Sequence, residues 1–168
     1  MKRAGITIVL CLICSLAFAQ VKKFELGVNG LTCSQCSRNV EMSLRKLPFI
    51  KDVRMNLEHT EGEIFFKDNA DIDVQRMARA VTDAGFSVRY MKGTYALSGI
   101  NVSDGSCTTV LGKRFVFINT PAHTLNGDVV LQFLGDRYMG KKDARNWKPR
   151  MKNSCGGDTQ PYYVTIVK

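Results

Sequence analysis

Apolar and polar positions between residues 24 and 90 change period several times, and each change marks an element. Phe24, Leu26 and Val28 alternate with Glu25, Gly27 and Asn29, the period of a half-buried strand. Val40, Leu44 and Leu47 then recur at helical spacing, with Arg38, Glu41, Arg45 and Lys46 on the other faces. Pro48 predicts a stop near Lys46 or Leu47, because the residue before a proline avoids α geometry. Val53, Met55 and Leu57 alternate again as a second strand, and the polar run 58–62 with Gly62 reads as a hairpin connection. Ile64 and Phe66 carry the inner face of a third strand. Asp71 is the expected N-cap of a second helix, with Asp73 adding negative charge to its first turn. Val74, Met77, Val81 and Ala84 lie along one side of that helix, and Gly85 is placed to end it. Phe86, Val88 and Tyr90 predict a fourth strand. The order is βαββαβ.

That order predicts an α+β, ferredoxin-like sandwich over residues 22–92, with both helices on one face of the sheet. Beyond Met91 glycines punctuate the chain and no helical apolar stripe appears. Residues 114–118, 129–134 and 162–167 are β-rich, and 97–102 reads as a further strand. Residues 93–168 are therefore expected to form a small all-β domain, a sandwich or partly open barrel. Residues 143–148 are read as one helical turn stopped by Pro149.

The first 19 residues stand apart. Lys2 and Arg3 precede an apolar run from Ile6 to Phe18, and Ala17-Phe18-Ala19 is a small-residue cleavage signal. This reads as a secretory signal peptide cut after Ala19, since the run falls short of the roughly 20 residues a spanning helix needs. The chain is expected to be periplasmic or secreted, with no transmembrane segment after cleavage. Cys11 and Cys14 leave with the signal, so Cys33, Cys36, Cys107 and Cys155 remain.

The net charge of +9 is uneven: residues 22–92 hold 12 Lys and Arg against 10 Asp and Glu, and residues 93–168 hold 10 against 5. The excess concentrates between Arg137 and Lys152, with Tyr138 and Trp147 interleaved. In an exported chain this is a solvated face rather than a nucleic-acid surface, an acidic partner or anionic membrane being the alternative. No catalytic triad, carboxylate pair or phosphate loop is present, which argues against an enzyme.

The chemistry concentrates in Gly30-Leu31-Thr32-Cys33-Ser34-Gln35-Cys36, where a strand gives way to a helix. With Cys33 in the loop and Cys36 in the first helical turn, both sulfurs can converge on one atom. The free N–H groups and positive end of the helix favour thiolate, the metal-binding form. A structural disulfide is the bland reading, but such bridges gain most by closing longer loops. A thioredoxin-like role lacks a Trp before the first Cys and a Pro between the two. Structural zinc lacks ligands, since His59 is expected in a turn away from the loop.

Residues 24–91 resemble the heavy-metal-associated family of copper chaperones, copper-pumping ATPase N-terminal domains and the periplasmic mercury-binding protein. The resemblance lies in the Gly30–Cys36 run, in Val40-Glu41-Met42-Ser43-Leu44 with Leu47-Pro48, and in Asp83-Ala84-Gly85-Phe86. The family usually has Met after Gly30 and this chain has Leu31, which fills a similar volume beneath the loop. The resemblance implies that Cys33 and Cys36 are metal ligands. Two soft sulfurs without further ligands suit Cu(I) first, then Hg(II), Ag(I) or Cd(II). It also implies a donor or acceptor protein with exposed thiolates of its own. The other class kept open is an extracytoplasmic interaction scaffold whose C-x-x-C stays oxidised. Cys107 and Cys155 are expected to form a disulfide, the alternative being a second thiol site.

Overall fold

The computed structural model describes residues 20–152, 155–156 and 160–167; the signal-peptide reading of residues 1–19 lies outside them. Strand β1 (Gln20–Asn29) buries Phe24, Leu26 and Val28 completely, as their alternation predicts. Helix α1 (Ser34–Arg45) lays Val40 and Leu44 on the sheet and ends at Lys46, just before Pro48. Strands β2 (Ile50–Asn56) and β3 (Glu61–Phe66) form the hairpin, followed by helix α2 (Val74–Asp83). Leu57 falls outside β2, in the turn, and is exposed.

The N-cap of α2 is Asp73 rather than Asp71: its carboxylate accepts the Arg76 N–H at 3.0 Å, the reach to the third helical residue that capping requires. At the other end Gly85 takes a positive φ of 90°. Its N–H donates to Thr82 O at 2.9 Å and that of Phe86 to Val81 O at 3.1 Å, the paired bonds of a Schellman stop.

Strand β4 (Ser87–Val102) continues well beyond the predicted fourth strand. Val88 pairs with Val28 but Tyr90 pairs with Gly27, so Arg89 is an extra residue, a β-bulge. The bulge exchanges the two faces. Inward positions pass from Val88 to Met91, Gly93, Tyr95 and Leu97, and Tyr90 points the other way, over Gly27.

The remaining strands are β5 (Cys107–Val110), β6 (Lys113–Phe117), β7 (His123–Leu134) and β8 (Tyr162–Val167). They do not build the separate all-β sandwich or barrel expected for residues 93–168. They extend the same sheet, whose order is β2-β3-β1-β4-β7-β8-β6-β5. The first four positions are the ferredoxin-like unit. The 92/93 boundary falls inside β4, where Lys92 pairs with Glu25 on one side and Gln132 on the other. Nor is the second half purely β: helix α3 (Lys141–Trp147) begins earlier than predicted and runs into a 3₁₀ turn, Lys148–Arg150.

One aromatic core spans both halves. The Phe24 ring lies 5.4 Å from Phe66 and 5.4 Å from Phe133, and Phe115 and Tyr162 continue the cluster. Alternate residues Val116, Ile118 and Leu134 face the opposite side of the sheet, where Met139, Ala144 and Cys155 cover them. Phe65 lies under the Arg54 guanidinium, which stands 4.8 Å from its ring centre.

Candidate metal site

The turn after β1 is set by Gly30 at φ 89°, a left-handed conformation that favours glycine. Phe86 packs beside it, 3.6 Å from where a Cβ would stand. Leu31 is buried and fastens the loop to the core, the role expected of the residue after Gly30. Thr32 and Cys33 are exposed.

Cys33 is the N-cap of α1, with extended φ and ψ of −148° and 159°. Its Sγ accepts the Cys36 N–H at 3.2 Å, and its carbonyl accepts the Ser37 N–H at 3.1 Å. A sulfur in the side-chain-oxygen position of an N-cap meets one of the unsatisfied donors of the first turn. That donor and the positive helix end both stabilise negative charge on sulfur. Cys36 is half-buried one turn on. The two Cα atoms are 5.2 Å apart and the sulfurs are bonded to each other. The loop thus brings both sulfurs to one point at the protein surface, in the oxidised state.

Strand register corrects the expected place of His59. Gly27 pairs with Glu61, and the Val28 N–H donates to Thr60 O at 3.0 Å, so the β2–β3 turn sits at the same end of the sheet as the cysteine loop. Even so, no group of three or more His, Cys, Asp or Glu side chains gathers to hold a metal among the described residues. The loop itself presents the two sulfurs of Cys33 and Cys36.

Cys107, at the start of the edge strand β5, is disulfide-bonded to Cys155, with Cα atoms 5.7 Å apart. The basic run between Arg137 and Lys152 falls on the β7–α3 connection, α3 and the 3₁₀ turn. Lys141, Lys142, Arg145, Lys148 and Arg150 are exposed, and the Arg150 guanidinium lies over Trp147 at 5.9 Å. His123 is exposed, its Nδ1 2.6 Å from Pro121 O. Among the described residues no helix is long and apolar enough to cross a membrane.

Residues 25–87 match the family model of the heavy-metal-associated domain. The chain is 38% identical over 72 residues to a copper-transporting ATPase of Rhizobium meliloti, covering 43% of this chain and 8% of that one. It is 28% identical over 86 residues to the periplasmic component of the mercuric transport protein of Serratia marcescens, covering 51% of this chain and 93% of that one. Similar solved structures include a CopZ metallochaperone, with 27% identity, a TM-score of 0.37, and coverage of 40% of this chain and 98% of that one. Oxidized MerP of Ralstonia metallidurans has 29% identity, a TM-score of 0.38, and coverage of 41% and 94%. The chain thus spans under a tenth of the ATPase and nearly all of the mercuric protein. Residues 25–87 are thus similar to the heavy-metal-associated domain, and here they stand on a sheet that continues past them.

Proposed function

We propose that this protein binds a soft metal ion between Cys33 and Cys36 outside the cytoplasm and passes it on by thiolate exchange. The observation that carries the reading is the placement of Cys33. It is exposed, it caps α1, and its sulfur already accepts an N–H that would stabilise the thiolate. Similarity to proteins named for copper transport and for periplasmic mercuric transport supports a soft ion. Two sulfurs with no third ligand gathered beside them among the described residues favour low coordination, hence Cu(I) first, with Hg(II), Ag(I) or Cd(II) behind it. The partner is a donor or acceptor that offers thiolates, which displace the protein's sulfurs one at a time; an exposed loop permits this and a buried cage does not. The protein is a carrier rather than an enzyme, and residues 1–19 direct its export.

Loading requires the reduced pair, because a disulfide offers no thiolate. In a chelator competition the reduced protein retains one Cu(I) per chain, and Cys33→Ser with Cys36→Ser abolishes retention. Equal retention by that double variant would overturn the proposal. The bonded sulfurs favour one second reading, an extracytoplasmic interaction scaffold with a permanently oxidised C-x-x-C. Alkylation of protein taken from its native compartment separates the two. Two modified cysteines support the carrier; none, with metal binding not restored by reductant, supports the scaffold.

A further inference from the structure

A cleft of about 630 Å³ opens between α2 and the β7–α3 connection. It lies on a surface that the βαββαβ unit alone does not have, because residues 136–141 form its second wall. Among the described residues its walls carry the charges of Arg79, Arg137 and Lys141 and the carboxylate of Asp136, with the Asp143 carboxylate 3.7 Å from where a Cβ on the wall residue Gly140 would stand. The four charged wall side chains belong to exposed residues. Among the described residues none of the four is ion-paired; the Arg137 Nη1 has only a long contact of 3.4 Å to Gln75 Oε1. Elsewhere on the surface the protein does pair its charges: Arg45 bridges Glu41 and Asp52, and Lys113 meets Asp71.

The position of this cleft is as informative as its charge. Asn29 and Ser87 form its near end, joined by a hydrogen bond of 3.4 Å from Asn29 Nδ2 to Ser87 Oγ. Asn29 is the residue before Gly30, and Phe86, next to Ser87, packs beside Gly30. The cleft therefore begins where the cysteine loop begins.

We propose that this cleft binds a small peptide thiol bearing two carboxylates and one ammonium group, and that such a thiol delivers the soft metal ion to Cys33 and Cys36. Three cations and one carboxylate in the wall complement two carboxylates, a thiolate and an ammonium in the ligand. A soft ion held by such thiolates is itself a polyanion, which the cleft's net positive charge attracts. Delivery of a monovalent ion balances simply. Each protein thiolate forms one metal–sulfur bond as one ligand thiolate departs, so two bonds form and two break. No electron moves, and with both cysteines ionised no proton moves. The delivery half of this proposal rests on the metal-carrier reading; the binding half does not.

The test uses the purified protein and S-methylglutathione, a tripeptide with the required charges and a blocked sulfur. Titration calorimetry on metal-free protein is expected to give saturable binding, weakened about tenfold or more in Arg79→Glu with Arg137→Glu. Both residues are exposed, and circular dichroism checks that the variant folds. No binding, or undiminished binding by the folded variant, would overturn the assignment. Equal affinity for inorganic phosphate would reduce the cleft to a general anion site and overturn it likewise. The delivery half is read from stopped-flow transfer of Cu(I): the charge-reversed variant slows transfer from the glutathione complex about tenfold and leaves transfer from an uncharged chelator unchanged. Equal slowing from both donors would overturn delivery. Calorimetry on Cys33→Ser with Cys36→Ser keeps cleft binding separate from a failure of the metal site.

Discussion

Cys33 combines two features: it is exposed at the surface, and its sulfur accepts one of the unsatisfied N–H groups in the first turn of α1. The two roles can be pulled apart by substitution. Serine is a preferred N-cap and alanine is a poor one, with a typical difference of about 1 kcal/mol. In the reduced protein, Cys33→Ser is therefore expected to keep helix stability while Cys33→Ala loses about 1 kcal/mol, read from urea midpoints, and both lose the metal. Equal midpoints for the two variants would mean that the sulfur's N–H contact contributes nothing to capping. A second prediction at this scale concerns the tyrosines. Burial holds the Tyr95 and Tyr138 hydroxyls well above the ordinary range, and burial, then the nearby Asp73 charge, pushes Tyr162 up to about 12. Unfolded tyrosines ionise near pH ~10. Between those values the unfolded state releases protons that the folded state keeps, so stability is fully present below about pH 10 and declines as pH rises toward 12. Tyrosinate absorbance followed with and without urea checks this. Native ionisation of all five tyrosines near pH ~10 would contradict it.

The elements of the βαββαβ unit were legible in the sequence because their signals are local. Alternation within β1, the Pro48 stop, the Gly85 stop and the C-x-x-C all lie within a few residues of what they specify. Cys33 at the junction of strand and helix needed no tertiary information. Strand β4 is the opposite case. Its bulge at Arg89 inserts one residue and shifts the inward set from Val88 to Met91, so an alternation read straight through Phe86, Val88 and Tyr90 stops at the point where the strand changes face. The glycine at 93 then resembles a linker, whereas the fold uses it as a gap. A Cβ there would stand 2.6 Å from Cε2 of Phe24 and 2.7 Å from Cε2 of Tyr95. Pairing of Gly93 with Leu131 depends on contacts across the chain that no local pattern encodes. Asp73 could have been preferred to Asp71 from its place directly before the apolar periodicity begins at Val74. The gap at Gly93 gives a prediction: Gly93→Ala drives a methyl into two packed rings and is expected to cost about 1–3 kcal/mol in chemical denaturation. An unchanged midpoint would mean that Phe24 moves freely, against its complete burial.

At the scale of the molecule, the two halves share a strand and a core, and the Cys107–Cys155 bridge acts on the half farthest from the Cys33–Cys36 loop. Lys92 pairs with strands on both sides, so trypsin is expected to leave its peptide bond intact in native protein. Early cleavage there into two stable halves would show that the halves fold apart. The bridge closes a loop of 48 residues, against 3 for Cys33–Cys36. On the chain-entropy account, restriction of the unfolded state grows with the logarithm of loop length and is worth roughly 4 kcal/mol for the longer bridge. The bridge also links edge strand β5 to Cys155, which is buried against Val116 and Ala144 and so belongs to the second core. Cys107→Ser with Cys155→Ser is accordingly expected to lower stability by roughly 4 kcal/mol, a far larger change than Cys33→Ser with Cys36→Ser. Since β7 and β4 are paired along most of their length, that loss should reach the unit that carries the Cys33–Cys36 loop. Unfolding of the bridge variant, followed at once by Cu(I) release and by tyrosine fluorescence, is expected to give a single transition. Metal release separated from the fluorescence change would show that the metal-binding unit stands without the sheet that extends it.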